Sequence, residues 1–209
     1  MFQRLEAKLT AGFRCVKLKI GAIDFKKEIE LIRHIRQNFT RDRVELRVDA
    51  NGAFAPEEAM QRLEALAQYD IHSIEQPIRQ HQWQEMARLC ADSPLPIALD
   101  EELIGVNDPA EKALLLDTIR PQFIILKPSL HGGMTGTREW ITMAKERNIS
   151  SWITSALESN IGLNAIAQLT ADIYGSNITT PQGLGTGQLF TDNIPMPLEI
   201  RGDQLWISD

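Results

Sequence analysis

Short apolar runs alternate along the chain with stretches whose apolar residues recur at helical spacing. The runs are rich in Val, Ile and Leu, as expected of strands in a parallel sheet that is buried on both faces. Helical spacing is clear at Phe25, Ile29, Ile32 and Ile35, which leave a polar outer face. The apolar runs lie at 16–20, 44–48, 71–74, 97–99, 123–126, 149–154 and 178–180. This alternation predicts an α/β fold built from repeated strand–helix units.

An ionisable residue stands at or beside the downstream end of each of the first five runs. These residues are Lys19, Asp49, Glu75, Asp100 and Lys127, separated by 30, 26, 25 and 27 positions. Each interval is about the length of one strand–loop–helix–loop unit. The spacing therefore predicts a parallel barrel with a polar group at the mouth of successive strands, where barrel enzymes carry their catalytic groups.

The pattern contains seven strands and no convincing eighth. Residues 2–10 read as a helix that ends at Gly12, so the predicted barrel begins on a helix without a strand before it. A closed eight-stranded barrel typically takes about 250 residues, whereas this chain has 209. Because an open barrel exposes two strand edges, we expect either a covering partner or a longer parent protein. The simplest division is a single domain over residues 1–209.

Composition narrows the class of protein. An apolar fraction of 43% and a charged fraction of 24% are typical of a globular protein with a sizeable core. The segment MFQRLEAKLT lacks the apolar stretch of a signal peptide, and no apolar run approaches the roughly 20 residues of a membrane span. A net charge of −6 without a basic cluster argues against a nucleic-acid partner. We expect a cytoplasmic protein that binds neither membranes nor nucleic acid.

Three carboxylates close consecutive predicted strands, at Asp49, Glu75 and Asp100. Three such groups in one small volume cannot all remain ionised without a cation between them. Oxygen ligands without His or Cys favour a hard ion such as Mg²⁺. The sequence therefore predicts a divalent metal site at the barrel mouth.

Lysines flank the predicted metal site on both sides. Strand alternation places Lys17 and Lys19 on one face, and Lys127 ends the strand that follows Asp100. A metal ion between two sources of lysine suits the removal of a proton next to a carboxylate, because the ion can bind the carboxylate while a lysine takes the proton. This chemistry is our prediction for the site.

The strings VKLKIG, RVDANG, SIEQP, ALDEE and IILKPS together resemble the barrel domain of the enolase superfamily, in its muconate lactonizing enzyme subgroup. The resemblance covers essentially the whole chain. It implies a modified TIM barrel of the (β/α)7β type, here without the first strand and without the N-terminal α+β capping domain of other members. Self-association or a cap-bearing chain would then cover the open edge, and Trp206 and Ile207 would otherwise be exposed.

The resemblance also implies a role for each ionisable residue. The implied ligands of Mg²⁺, with Mn²⁺ as a substitute, are Asp49, Glu75 and Asp100. Lys19 would remove the proton α to a substrate carboxylate and return it to the leaving hydroxide. Lys127 would support the negative charge from the opposite side, and Lys17 would tune Lys19 and help to hold the carboxylate.

Two further segments, at 154–169 and 181–194, most resemble the o-succinylbenzoate synthases of this subgroup. These enzymes dehydrate a cyclohexadiene hydroxy acid with a succinyl side chain, giving o-succinylbenzoate on the way to menaquinone. The implied walls of the pocket for this small-molecule carboxylate are Asn51, Ser155, Glu158, Ser159, Gly183 and Gly185. N-acylamino acid racemization, dipeptide epimerization and a fragment with little activity remain the alternatives.

Other polar residues are assigned structural roles. Strand alternation turns Glu101 away from the mouth, so a supporting role is expected for it. His131, Gly132 and Gly133 predict a tight turn rather than a catalytic histidine. Cys15 and Cys90 have no metal-ligand spacing and are expected to be buried, reduced thiols.

Overall fold

A six-stranded parallel sheet, whose strand order follows the chain, forms the centre of the protein. The computed structural model describes residues 2–175, 178–185 and 190–207. The parallel strands are β1 (Cys15–Lys19), β2 (Glu45–Asp49), β3 (Ser73–Glu75), β4 (Ile97–Leu99), β5 (Phe123–Leu126) and β6 (Ser150–Ile153). The sheet is a half-barrel, and the predicted parallel α/β architecture is confirmed.

In the described part of the chain, five helices connect consecutive strands of the sheet, one precedes β1 and one follows β6, and their buried apolar residues belong to the core. The helices are α1 (Phe2–Thr10), α2 (Phe25–Asn38), α3 (Pro56–Ala67), α4 (Trp83–Asp92), α5 (Pro109–Ile119), α6 (Gly133–Glu146) and α7 (Asn160–Tyr174). Helix α5 begins at a proline whose preceding residue, Asp108, accepts hydrogen bonds from the N–H groups of Ala110 and Glu111. In the described part of the chain, none of these helices is both long and apolar enough to span a membrane.

The two faces of the sheet serve different purposes. Leu46 and Val48 on β2 are fully buried in the main core between strands and helices. Glu45, Arg47 and Asp49 alternate with them and therefore point to the inside of the half-barrel. A separate small cluster on that inner side is formed by Ala98, Ile125 and Trp152, with Phe123 packed against it. The helix-facing side thus supplies the bulk of the apolar burial, while the inner side carries polar groups.

Arg47 forms a floor inside the half-barrel, one layer below the ends of the strands. Its guanidinium carbon lies 4.1 Å from the centroid of the Trp152 ring, at stacking distance for a cation–π contact. Its Nε donates to Glu45 Oε1 at 2.7 Å, and its Nη1 donates to the carbonyl oxygen of Pro181 at 3.3 Å. A cavity of about 180 Å³ adjoins these groups. Arg47 thereby links β2 to the segment that follows α7.

The predicted strand at 178–180 is wrong. Those residues form no strand, and the next pairing along the edge of β6 is instead an isolated parallel bridge between Thr154 and Gly183. The N–H of Gly183 donates to the carbonyl oxygen of Ile153 at 2.9 Å, and the N–H of Ser155 donates to that of Gly183 at 3.0 Å. A Cβ on Gly183 would lie 2.3 Å from Thr154 Oγ1. The backbones can approach here because residue 183 has no side chain, a requirement that apolar patterning does not register.

A β-hairpin near the C-terminus was not predicted from the sequence. It consists of the antiparallel strands β7 (Leu198–Arg201) and β8 (Gln204–Ile207). The hairpin turn at Gly202 approaches Gly12, which follows α1. Trp206 and Ile207 are 47% and 55% exposed, which confirms the expectation that they form exposed apolar surface.

Both cysteines are free thiols. Cys90 is buried as expected, but Cys15 on the edge strand β1 is only half-buried. Burial raises the pKa of each thiol to about 12. Since the thiolate is the reactive form, neither cysteine is a nucleophile near neutral pH.

Gly136 offers a test of the packing between α6 and the turn before it. A Cβ at this position would lie 2.2 Å from the carbonyl oxygen of His131. We expect Gly136→Ala to lower the free energy of unfolding by about 2 kcal/mol, because overpacking outweighs the gain in helix propensity of about 1 kcal/mol. The measurement is urea denaturation. The matched control is Gly185→Ala, where a Cβ would meet nothing within 4 Å. A Gly136→Ala protein as stable as the control would contradict this packing.

Candidate active site

Three carboxylates meet at the carboxyl ends of the central strands. Asp49 and Glu75 end β2 and β3 and are paired in register, and Asp100 directly follows β4. All three are buried, with exposed fractions of 0%, 2% and 0%. Parallel register brings the ends of the strands to one edge of the sheet, so the structure brings these predicted residues together.

Burial and mutual repulsion set the charges of this group. The pKa of Glu75 is raised to about 9 by burial and by the carboxyls of Asp100 and Asp49, against the opposing effect of Lys17. Burial alone would raise the pKa of Asp49, but Lys17 and Lys19 lower it below its usual value. Glu75 therefore holds a proton at neutral pH while Asp49 is ionised.

Two lysines of β1 contact the carboxylates from one side. Lys17 Nζ donates to Asp49 Oδ2 at 3.0 Å and to Glu75 Oε2 at 2.7 Å. Burial alone would lower the pKa of Lys17, but these two carboxyls raise it above its usual value. Lys19 Nζ donates to Asp49 Oδ2 at 2.5 Å and to Asn51 Oδ1 at 2.7 Å. The Lys19 side chain is 60% exposed and that of Lys17 is 36% exposed, so Lys19 is the more accessible of the pair to a bound molecule.

Lys127 contacts the carboxylates from the other side. It follows β5, and its Nζ forms an ion pair with Asp100 Oδ2. Its backbone N–H donates to Nδ1 of His131 at 2.9 Å. Lysines thus flank the three carboxylates on both sides, as the sequence predicted from strand order.

His131 lies in the predicted tight turn, but its side chain also has a role that was missed. The imidazole is fully buried, and burial lowers its pKa to about 4, so the ring is neutral. Because Nδ1 accepts the Lys127 N–H, the ring proton is on Nε2. His131 therefore fixes the backbone that carries Lys127, and nothing in local sequence spacing distinguishes such a buried acceptor from a turn residue.

Gln76 was also missed by sequence reasoning. It is fully buried, and its Oε1 accepts hydrogen bonds from the backbone N–H groups of Asp100 at 3.3 Å and Glu102 at 3.2 Å. Its Nε2 donates to Glu102 Oε2 at 3.1 Å, and Glu102 Oε1 accepts from the N–H of His81 at 2.7 Å. This network supports Asp100 from behind. The signal was a second polar residue directly after Glu75, which ends β3.

The expectation that Glu101 turns away from the mouth is wrong. The chain leaves β4 at Leu99 and forms a 3₁₀ helix over Glu101–Leu103, so strand alternation does not extend to this residue. Glu101 Oε1 accepts a hydrogen bond from Asn51 Nδ2 at 2.8 Å, and Asn51 in turn contacts Lys19. Glu101 therefore has the expected supporting role, but its side chain lies at the mouth.

The predicted walls of the pocket lie in two regions. Asn51 contacts Lys19, as described above. Glu158 accepts a hydrogen bond from Ser129, which follows Lys127 in the loop after β5. The buried Ser155 donates its hydroxyl to the carbonyl oxygen of Gly183 at 3.3 Å. The remaining two predicted residues are Ser159, at the N-cap of α7, and the exposed Gly185. Residues 186–189 of the predicted segment lie outside the described part of the chain.

The carboxylates have the chemistry of a metal site, although in this structure lysines contact them. Among the described residues, no set of three or more His, Cys, Asp or Glu side chains is arranged to coordinate an ion. Glu75 Oε1 and Asp100 Oδ1 are nevertheless buried, and neither accepts a hydrogen bond from any residue that the structure describes. Buried carboxyl oxygens without partners are costly unless a cation or donor compensates them. The all-oxygen donor set fits a hard divalent ion.

Comparison with known proteins shows the family of this chain. The family model described as "Enolase C-terminal domain-like" matches residues 1–208. The chain belongs to the enolase C-terminal domain-like family. The predicted resemblance to enolase-superfamily barrels is confirmed.

Individual members of the enolase family differ in their reactions. The chain is 60% identical over 208 residues to an o-succinylbenzoate synthase of Desulfotalea psychrophila, a match that covers 100% of this chain and 55% of that protein. It is 27% identical over 168 residues to an L-Ala-D/L-Glu epimerase of Bacillus subtilis, covering 79% of this chain and 45% of the epimerase. The chain thus spans about half the length of these enolase-family relatives.

Solved structures of the enolase family agree with the fold. The crystal structure of MenC from Desulfotalea psychrophila matches with a TM-score of 0.92 and 58% identity, over 98% of this chain and 55% of that one. Muconate lactonizing enzyme from Pseudomonas putida matches with a TM-score of 0.84 and 25% identity, over 98% and 56% of the two chains. The predicted class, a modified TIM barrel, is confirmed.

Glu75 predicts a pH dependence of stability in the metal-free protein. Up to a pH of about 9 the folded protein keeps a proton on Glu75, whereas an unfolded chain releases it near the ordinary carboxyl pKa of about 4.3. Raising the pH through this window therefore lowers the free energy of unfolding. We expect Glu75→Gln, which cannot ionise, to reduce that fall in urea denaturation with a chelator present. The exposed Glu64→Gln is the control, and an unchanged pH slope in Glu75→Gln would refute the shifted pKa.

His131 predicts a difference between two substitutions. Asn can place Oδ1 near the position of the imidazole Nδ1, whereas Leu has no acceptor. His131→Leu leaves the Lys127 N–H without its partner, so we expect the free energy of unfolding to fall by about 1–3 kcal/mol. His131→Asn should lose distinctly less. Equal losses in urea denaturation would mean that the imidazole volume, rather than the hydrogen bond, stabilises the turn.

Proposed function

We propose that this chain is a catalytic barrel for the Mg²⁺-dependent dehydration of a cyclohexadiene hydroxy acid with a succinyl side chain, giving o-succinylbenzoate. The observation that carries the proposal is the set of three buried carboxylates with lysines on both sides at one edge of the sheet. The 60% identity to the o-succinylbenzoate synthase of Desulfotalea psychrophila supports this choice of reaction.

Asp49, Glu75 and Asp100 would hold the ion, with Mn²⁺ as a substitute for Mg²⁺. When bound, the ion supplies positive charge that favours loss of a proton from the carbon next to a carboxylate. To bind the ion, the chain would have to release the proton held by Glu75. The oxygen atoms of Glu75 and Asp100 that have no hydrogen-bond partner among the described residues would then serve as ligands. Metal binding is therefore coupled to deprotonation of the site.

Lys19 would act as the base. Its exposed side chain is held at the mouth by Asp49 and Asn51, which leaves Nζ facing the space where a substrate would bind. In its neutral form the amine would take the proton α to the substrate carboxylate. It would then return that proton to the departing hydroxyl group, so that a C–H and a C–O bond break and water leaves.

Lys127 and Lys17 would act by charge. Lys127 lies on the opposite side of the carboxylates and would support the negative charge that develops when the proton leaves. Lys17 is held by Asp49 and Glu75 and keeps its proton, because these groups raise its pKa. Its positive charge beside Lys19 would help to hold the substrate carboxylate.

The rest of the substrate would contact the segments after β5 and β6. The side-chain hydrogen bond between Ser129 and Glu158 places these two segments next to each other, beside Lys127. The proposed pocket walls for the succinyl group are Asn51, Ser155, Glu158, Ser159, Gly183 and Gly185.

We propose a cytoplasmic protein whose ligand is a small carboxylate, with neither nucleic acid nor a membrane as partner. The edge of β1 opposite β2 would take a second copy or a cap-bearing chain.

Epimerization of a dipeptide or racemization of an N-acylamino acid is the second candidate. The presence of lysines on both sides of the carboxylates favours it, because one lysine could remove a proton from one face and the other could deliver a proton to the opposite face. The similarity to the Bacillus subtilis L-Ala-D/L-Glu epimerase adds weight. Dehydration and epimerization begin with the same proton abstraction, so only the substrate distinguishes them.

The test is turnover of the cyclohexadiene substrate by this chain with Mg²⁺, followed by product absorbance. We expect Lys19→Ala to lower kcat by at least about a hundredfold, since a positioned base contributes about 10²–10⁴. A chelator should abolish turnover of the wild-type chain. Glu64→Gln, on the outer face of α3, is the control that should retain full activity.

Two outcomes would overturn the proposed dehydration. One is turnover that survives in Lys19→Ala, which would exclude this lysine as the base. The other is wild-type protein that leaves the cyclohexadiene unchanged but exchanges the α-proton of L-Ala-L-Glu with deuterated solvent. That result would assign the site to epimerization.

A further inference from the structure

We infer that Glu101 is a positioning residue that sets the orientation of the Asn51 side-chain amide and, through it, the position of Lys19 Nζ. The geometric part of this inference is independent of the reaction, while its effect on turnover rests on the proposed function. The hydrogen bonds that connect Lys19, Asn51 and Glu101 carry the inference.

The two ends of the Asn51 amide have opposite hydrogen-bonding character. Its Nδ2 donates to Glu101 Oε1 at 2.8 Å, and its Oδ1 accepts from Lys19 Nζ at 2.7 Å. An ionised carboxylate can only accept and an ammonium can only donate. The amide therefore satisfies both neighbours in one orientation and neither in the flipped one. Glu101 thus adds to the preference of Lys19 for the orientation in which Asn51 Oδ1 faces the lysine.

The backbone of Asn51 is fixed independently, so the amide rotation is the remaining freedom. Its φ of 44° lies in the left-handed region, which asparagine tolerates better than most residues. Its N–H donates to Asp49 Oδ1 at 3.0 Å. The N–H of the next residue, Gly52, donates to the carbonyl oxygen of Gln76 at 2.7 Å. Loss of Glu101 should thus disturb the side chain of Asn51 without moving its backbone.

Lys19 depends on this amide more than a buried lysine would. Its side chain is 60% exposed, and its Nζ is held by two oxygen atoms, from Asp49 and Asn51. A lysine side chain loses up to about 2 kcal/mol of rotamer entropy when it is fixed, so one anchor holds it less well than two. With both acceptors in place, two of the three ammonium N–H directions are used and the third is left for the substrate side.

The backbone of Glu101 is held close to the carboxylates. It lies in the 3₁₀ helix directly after Asp100, so its backbone is tied to the carboxylate cluster. Its other oxygen, Oε2, is buried and has no hydrogen-bond partner among the described residues. The neighbouring Glu102 has a different task, since it binds Gln76 and the N–H of His81. The two adjacent glutamates therefore support different parts of the site.

The first experiment observes the amide directly. In ¹⁵N-labelled protein, the Asn51 side-chain NH₂ signals are assigned by their disappearance in Asn51→Asp. We expect Glu101→Gln to keep shifts and solvent-exchange rates near those of the wild type, because its Oε1 can accept the same hydrogen bond. Glu101→Leu, of similar size but without an acceptor, should move both signals towards free-amide values and speed exchange. Unchanged Asn51 signals in Glu101→Leu would overturn the inference.

The second experiment measures turnover with the proposed substrate and Mg²⁺. We expect Glu101→Leu to lower kcat about tenfold with KM within about twofold, since a misplaced base affects the chemical step more than binding. Glu101→Gln should restore most of kcat, and Glu64→Gln serves as the control. A kcat unaffected by Glu101→Leu would overturn the effect on Lys19. If the wild-type chain itself shows no turnover, the proposed function fails, and the amide signals alone decide the positioning role.

Discussion

The rest of the site depends on the cost of burying three carboxyl groups at one edge of a sheet. Parallel register places Asp49 and Glu75 side by side, and Asp100 lies next to them. Their repulsion is relieved by the proton on Glu75 and by lysines from the strands on either side. The neighbouring polar groups described above therefore either supply positive charge or hold members of the site in place. This requirement explains why the surroundings contain so many buried polar side chains.

The supporting groups differ in which part of the site they hold in place. Gln76 binds the backbone at Asp100, and His131 binds the backbone at Lys127. Glu101 acts on a side chain instead, through the amide of Asn51. Buried polar groups tolerate few arrangements because each missing partner is costly. The positions of the lysines and carboxylates are thus fixed by several contacts on the side away from the mouth. The surface that would meet a substrate is left open.

Sequence spacing alone was enough to place the carboxylates and lysines, because strand length and strand–helix repeat are both visible as apolar patterns. It failed where the chain leaves regular structure. Glu101 could not be placed by alternation once a 3₁₀ helix followed β4. The bridge at Gly183 depends on a missing side chain rather than an apolar one, and the strand predicted just upstream was therefore misplaced. Long-range acceptors such as His131 require knowledge of what the turn packs against.

Because residues alternate along β2, the register of this strand determines both the packing of the core and the placement of the site residues. Leu46 and Val48 face the helices, while Arg47 and Asp49 face the inside of the half-barrel. A slip of β2 by one position against β1 would exchange these two sets at once. It would bury charge among the helices and expose the aliphatic core, so the misregistered chain would be unstable rather than merely inactive. Cellular proteolysis would therefore remove chains in which the site is misassembled. Their instability alone would be sufficient, and no mechanism that detects enzymatic activity would be needed.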